Sequence, residues 1–183
     1  NGADPATKIL VFSEWEDALR VVAAALRANG VAVAHPGGGG KKLRDAVEAF
    51  AAKRDENETK MGSAADLDAR VLLMPLRRGA NGLNLTSAQH VILLEPVMDP
   101  GAEAQAMKRV DRIGQTKPTF VHRFTLLNTV EENVQALSRR RRENASRGPG
   151  DDDAGGARGG HGVGLRVSEA RLLIEGTSAT SER

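Results

Sequence analysis

Apolar residues in this chain fall into short runs, separated by stretches with a helical repeat. Residues 8–12, KILVF, are nearly all apolar, the pattern of a strand buried on both faces. Beyond Ser13-Glu14-Trp15, Leu19, Val22, Ala23 and Leu26 recur at i, i+3, i+4 and i+7. That spacing predicts a core-facing helix ending at Ala28, with Asn29-Gly30 as its C-cap. Residues 31–34 predict a second strand, and residues 41–53 a helix that buries Leu43, Val47 and Phe50. Residues 70–74 and 90–95 predict two more strands, with a turn-rich loop over 75–86 and a turn over 96–100. A helix is expected over 102–113, a partly alternating strand over 119–127, and a closing helix over 130–144 with Val134 and Leu137 inward.

Strands alternating with helices imply βαβ units, and hence an α/β fold with a parallel sheet covered by helices on both faces. Ligands of such sheets gather at the carboxyl ends of the strands. Ser13, the 75–86 loop and the 102–113 helix each follow a strand, so they are expected to meet along that edge. No internal repeat is visible.

Polar stretches divide the rest. Residues 54–68 are charged and without periodicity, and read as a disordered insertion. Residues 147–164 are Gly-rich around Asp151 to Asp153 and read as a flexible linker that adds little stability. In the tail, 165–183, residues 167–175 can form a short amphipathic helix through Leu172, Leu173 and Ile174, too short to persist unless docked. The folded part is therefore expected to be 8–146.

Composition narrows the function classes. Aromatics make up 3% of the chain, so the core must be aliphatic. There is no Cys, which excludes disulfides, a RING and any Cys-based zinc site within these residues. The four His are scattered without ligand spacing and read as structural or exposed. No apolar run approaches the roughly 20 residues of a membrane span, and no secretory signal opens the sequence. A net charge of +2 permits nucleic-acid contact without arguing for it.

The candidate chemistry centres on residues 105–115, QAMKRVDRIGQ. Spacings of four and three put Gln105, Arg109 and Arg112 on one helical face, with Gly114 as terminator. Guanidinium groups are planar, always charged and donate in a fork, so two of them make a polyphosphate clamp. From spacing alone, a solvated basic face is the favoured reading.

The segment QxxxRxxRIGQ resembles the last signature motif of the Swi/Snf-type ATPases, a branch of the superfamily-two helicases. The resemblance runs from about Lys8 to Arg139. The wording PLRRGANGL, EPVMDP and RVDRIGQTKPTFVHRF is most like the ubiquitin-ligase branch that combines a Swi/Snf helicase with linker-histone, PHD and RING domains. It implies the second RecA-like lobe of a two-lobe ATPase, in which Arg109 and Arg112 reach ATP held by the first lobe. Gly79-Ala80-Asn81-Gly82-Leu83-Asn84 resembles the fifth motif. There Gly79, Asn81 and Gly82, with Gln105, would border the nucleotide, because glycines let backbone amides approach phosphate or ribose. Ser13, in FSEW of the fourth motif, together with Arg77, Asn84 and Thr86, would face DNA. The resemblance further implies ATP and Mg²⁺, a DNA or nucleosome backbone as partner, ubiquitin machinery through a RING outside this chain, and a nuclear location.

Departures from the family pattern keep other readings open. Pro75-Leu76 stand where the family has a Ser-Thr pair associated with nucleic-acid phosphate, which favours a non-catalytic interaction module. Lys108 and Asp111 replace a Gly and a His. Neither a Walker-type P-loop nor a DExH motif occurs in the 183 residues, so only the arginine side of an ATP site is expected here. Residues 37–40, GGGG, followed by two lysines, lack P-loop spacing. Trp15 reads as a packing residue, because base-stacking platforms come as several aromatics. Arg139 to Arg142 read as a solvated helix end. An independent small-molecule enzyme needs a catalytic pair, and none is found.

Overall fold

The computed structural model describes residues 7–36, 40–51, 69–79, 83–147 and 167–175. In chain order the elements are β1 (Ile9–Ser13), α1 (Glu16–Ala28), β2 (Val33–Ala34), α2 (Gly40–Ala51), β3 (Val71–Pro75) and α3 (Leu76–Gly79). They are followed by β4 (His90–Leu93), α4 (Pro100–Val110), β5 (Phe120–Arg123), α5 (Val130–Arg147) and α6 (Val167–Glu175). The strands form one sheet in the order β2-β3-β1-β4-β5. Every pairing is parallel, and Val11 of β1 sits between Leu73 and Ile92.

The two-residue period of each strand sorts its side chains between the faces. Val11, Val33, Val71 and Leu73 pack with Leu19 and Ala23 of α1. Leu10, Phe12, Leu72 and Met74 point the other way and are wholly buried. The topology explains why both faces need cover. The β1–β2 crossover runs one way across the sheet, whereas the later crossovers run back. Right-handed connections therefore place them on the face opposite α1. Strand β5 forms one edge, and its Phe120 and His122 are exposed.

Several boundaries differ from the sequence reading. Pro75 belongs to β3, and α3 makes one helical turn inside the expected loop. Helix α4 begins at Pro100 and stops at Val110, so Arg112 lies beyond it. The backbone gives the reason. Asp111 N–H makes a helical bond to the Met107 carbonyl, but Gln115 N–H then turns back to the Arg112 carbonyl, and Gly114 sits at φ +106°. The expected common helical face thus holds for Gln105 and Arg109 only. Trp15 is 66% exposed and does not pack. Helix α5 continues to Arg147, past its expected end. The insertion over 54–68, glycines 37–39 and the linker beyond Arg147 lie outside the described residues.

Contacts divide the chain into two compact units. The first comprises Asn1–Leu94 with Ala102–Phe124 and contains the sheet; the second comprises Glu95–Gly101 with Thr125–Arg183. In the second, Thr129 opens α5 as a capping residue, its hydroxyl accepting Glu131 N–H at 3.2 Å. Helix α6 packs on α5. Arg141 donates from Nε and Nη2 to the two Glu169 oxygens at 2.8 and 2.7 Å, and from Nη1 to the Met98 carbonyl at 3.1 Å. Asn133 Nδ2 donates to the Leu173 carbonyl at 3.1 Å. The tail therefore carries a docked helix, the condition under which so short a segment was expected to persist. The arginine run is corrected: Arg139, Arg140 and Arg142 are exposed, but Arg141 is turned inward. Among the described residues no helix is long and apolar enough to cross a membrane.

Candidate functional site

At the carboxyl edge of the sheet, β1 ends in Ser13, paired in register with Pro75 of β3. Ser13 is 2% exposed, and its hydroxyl is engaged with the backbone. It accepts Trp15 N–H at 2.9 Å and donates to the Trp15 carbonyl at 3.2 Å. This is a serine closing a turn. Arg77 follows β3 immediately, in α3, and is exposed at the same edge. Leu76 beside it is 1% exposed, so this departure from the Ser-Thr pattern is a buried apolar side chain.

The arginine segment sits at the opposite edge. Helix α4 starts after the carboxyl end of β4 and returns antiparallel to the strands, so its last turn reaches their amino ends. Leu85 N–H donates to the Arg109 carbonyl at 3.1 Å, and Gln115 Nε2 donates to the Ala88 carbonyl at 3.0 Å. The next residues, Gln89 and His90, donate their N–H groups to the Lys8 carbonyl, just before β1. The expectation of a single carboxyl-edge cluster is therefore corrected. A helix of 11 residues is about 16 Å long, enough to carry Arg109 across the height of the sheet.

This second edge gathers two chain segments read separately from sequence. Asn84 Oδ1 accepts from the Thr86 hydroxyl at 3.0 Å and from its N–H at 3.3 Å, holding the turn around Leu85. Arg109 is half-buried, Gln105 and Arg112 are exposed, and the Arg109 backbone is pinned to that turn. Asn84 and Thr86 thus border the arginines rather than Ser13 and Arg77. Gly79 ends α3, whereas Asn81 and Gly82 lie outside the described residues. Arg112, three residues on, exposes its guanidinium, and a planar cation of that kind can grip an anion presented from outside. Among the described residues no group of three or more His, Cys, Asp or Glu is arranged to hold a metal ion. The residues here do not fit a Mg²⁺ site, and no step is assigned to the ion.

Residues 3–114 match the helicase conserved C-terminal domain family. The chain belongs to that family. It is 42% identical over 134 residues to the E3 ubiquitin-protein ligase SHPRH of Homo sapiens, covering 73% of this chain and 7% of that protein. It is 37% identical over 135 residues to the DNA repair protein RAD5B of Arabidopsis thaliana, covering 73% of this chain and 10% of that protein. The chain thus spans a small part of the curated relatives it matches. The C-terminal part of the Fun30 ATPase domain shares the fold, with a TM-score of 0.59 at 20% identity, over 72% of this chain and 39% of that one. The helicase C-terminal domain here is of the Swi/Snf type, and its sheet is RecA-like.

Some residues that matter in this helicase domain escaped the sequence reading. Glu103 is 4% exposed in α4 and takes Arg123 Nε and Nη2 on one oxygen, at 2.9 and 2.7 Å. A carboxylate at 103 in step with Ala106 and Val110 was a legible signal of a buried ion pair. His90 Nδ1 and His122 Nε2 meet at 3.0 Å, and His90 stacks on Phe120. Register alone brings those two His together, and their spacing in sequence gave no hint.

Proposed function

We propose that this chain is the C-terminal lobe of an ATP-dependent DNA translocase, and that Arg109 and Arg112 act on ATP held by a first lobe of the parent protein. The observation that carries the reading is the bond from Leu85 N–H to the Arg109 carbonyl. It joins the loop that follows the glycine-rich motif to the arginine segment at one edge. In this reading the first lobe supplies the phosphate cradle and the Mg²⁺ ligands, and ATP is the substrate. The arginines meet the charge that develops on the transferred phosphoryl oxygens. Such contacts lower the barrier more than they deepen ground-state binding. Gln105, Gly79, Asn81 and Gly82 border the nucleotide. Arg77, exposed at the other edge, contacts DNA phosphate, and Ser13 shapes the loop next to it. Asn84 and Thr86, first assigned to DNA, support the nucleotide side instead. The parent is an E3 ubiquitin ligase of DNA repair or chromatin, located in the nucleus, with its RING outside this chain. The names of the relatives support that assignment.

The test is ATP turnover by the full-length protein with DNA present. Arg109→Ala or Arg112→Ala is expected to lower kcat by about 10³–10⁵, with ATP binding within about tenfold of the parent. A second reading, a non-catalytic interaction module, is favoured by one observation, the buried Leu76 that departs from the Ser-Thr pattern. Near-normal turnover in both variants would leave that reading in place.

A further inference from the structure

We infer that Glu103 and Arg123 form a positioning pair that sets the rotation of α4 and so aims Arg109. The inference rests on the nucleotide reading of that arginine. Neither Glu103 nor Arg123 belongs to the arginine segment.

Helix α4 has a narrow buried face. Its buried face is Glu103, Ala106 and Val110. Compare α1, where Leu19 and Ala23 are buried with Val22 and Leu26 packed beside them. The fully buried apolar groups of α4 are one methyl and one isopropyl, with Ala102 and Met107 half-buried beside them. Small groups leave few ridges to fix a helix's rotation about its axis. The third inward residue is a carboxylate, 4% exposed, which must be paired to be tolerated there.

Arg123 provides that partner. It is the last residue of the edge strand β5, and its side chain is 43% exposed where Glu103 is 5%. Both Nε and Nη2 converge on a single Glu103 oxygen. A fork with two donors fixes direction as well as distance, which one ammonium cannot do. This pair therefore holds the first turn of α4. The last turn is held by the Leu85 N–H bond to the Arg109 carbonyl. Two anchors, at opposite ends of a weakly ridged helix, define its roll.

The consequence for Arg109 is geometric. A side chain standing about 6 Å from a helix axis moves about 1 Å when the helix rolls by about 10°. A 1 Å misplacement of a catalytic group costs about 10²-fold in rate. Loss of the pair would leave α4 folded on Ala106 and Val110 with its roll undefined.

The experiment measures steady-state ATP hydrolysis with saturating DNA in the full-length protein. Glu103→Ala and Arg123→Ala are each expected to lower kcat by about 10- to 100-fold while KM for ATP stays within about threefold. The double variant should be no worse than the weaker single, because the two act as one unit. Glu103→Gln keeps the shape and an acceptor oxygen, and should recover most of the rate. Arg123→Lys, lacking the fork, should recover less. Thermal melts accompany each variant. A lower melting temperature with kcat within threefold of the parent would make the pair merely structural and overturn the inference. Where an alanine variant does not fold, Glu103→Gln and Arg123→Lys decide: equal and near-parental rates in both also overturn it. Arg109→Ala is measured alongside. If it loses turnover and the pair variants do not, this inference alone fails. If it keeps turnover, the nucleotide reading fails and this one with it.

Discussion

Lys8 shows at the residue level how burial becomes a pH response. Its ammonium donates to the Phe50 carbonyl and lies 5.4 Å from that ring's centroid. Burial desolvates it and lowers its pKa from the usual 10.5. The sign follows from proton counting: between the folded value and 10.5, the unfolded chain binds more protons than the folded one. Stability is therefore expected to rise with pH across the window just below 10.5. Lys8→Met should flatten that slope in denaturant melts taken at stepped alkaline pH; an unchanged slope would assign it to another group. Arg141 behaves differently. Its hydrogen bonds to Glu169 raise its pKa, against the opposing effect of burial. A raised value gives stability that is present below the unfolded pKa and lost only above the folded one. That loss lies beyond working pH, so the arginine itself adds no pH dependence near neutrality.

At the scale of elements, α6 is the clearest case of a helix made by its neighbour. Nine residues do not hold a helix alone in water. Here Leu172 and Leu173 are half-buried, Glu169 is paired with Arg141, and the Leu173 carbonyl takes Asn133. Deleting 148–183 is expected to destabilise the α5 unit by about 1–3 kcal/mol, mostly through the two leucines. Arg141→Ala should release α6 and reproduce most of that loss, since Glu169 would lose its partner in a part-buried site. Amide exchange in α5 and α6 reads both effects. Full protection of α6 in Arg141→Ala would show that the leucines alone hold it. Helix α4 makes the opposite case. Its start, Asp99-Pro100, obeys local rules, with Asp99 Oδ1 accepting Gly101 N–H at 2.9 Å. Its end came three residues earlier than the apolar spacing implied, because Gly114 and the bend before it take over the backbone bonds.

At the scale of the whole molecule, the proposed ATP site needs a first lobe to complete it. The isolated 183-residue chain is expected to turn over no ATP, because no P-loop or DExH motif accompanies the arginines. Turnover that co-purifies with the chain through successive columns would contradict this. With a net charge of +2 and the phosphate contact proposed for Arg77, duplex DNA binding should be weak and sequence-blind. Its affinity should fall linearly on a log–log plot against salt, with slope about −0.9 per phosphate engaged. Anisotropy titrations at several salt concentrations test this. A sequence preference that survives high salt would require base contacts that these residues do not offer.

What the sequence alone determined was the run of strands and helices, and with it the fold. Buried parallel strands must be continuous and apolar, as KILVF and HVIL are, and amphipathic helices must repeat their apolar residues, as Leu19 to Leu26 do. Those are local constraints, so they are written locally. The motifs were legible for the same reason, being contiguous. Other features depended on which strands became neighbours and which way each helix returned. Only the tertiary structure separated Arg77 from Arg109 by the height of the sheet, and it did so because α4 runs antiparallel to β4. Only register brought His90 to His122, and only packing matched Arg123 to Glu103 and Arg141 to Glu169. Each of those pairs joins residues 20 or more positions apart. Their partnership is a property of the closed chain, because no local propensity records which distant side chain will meet a buried charge.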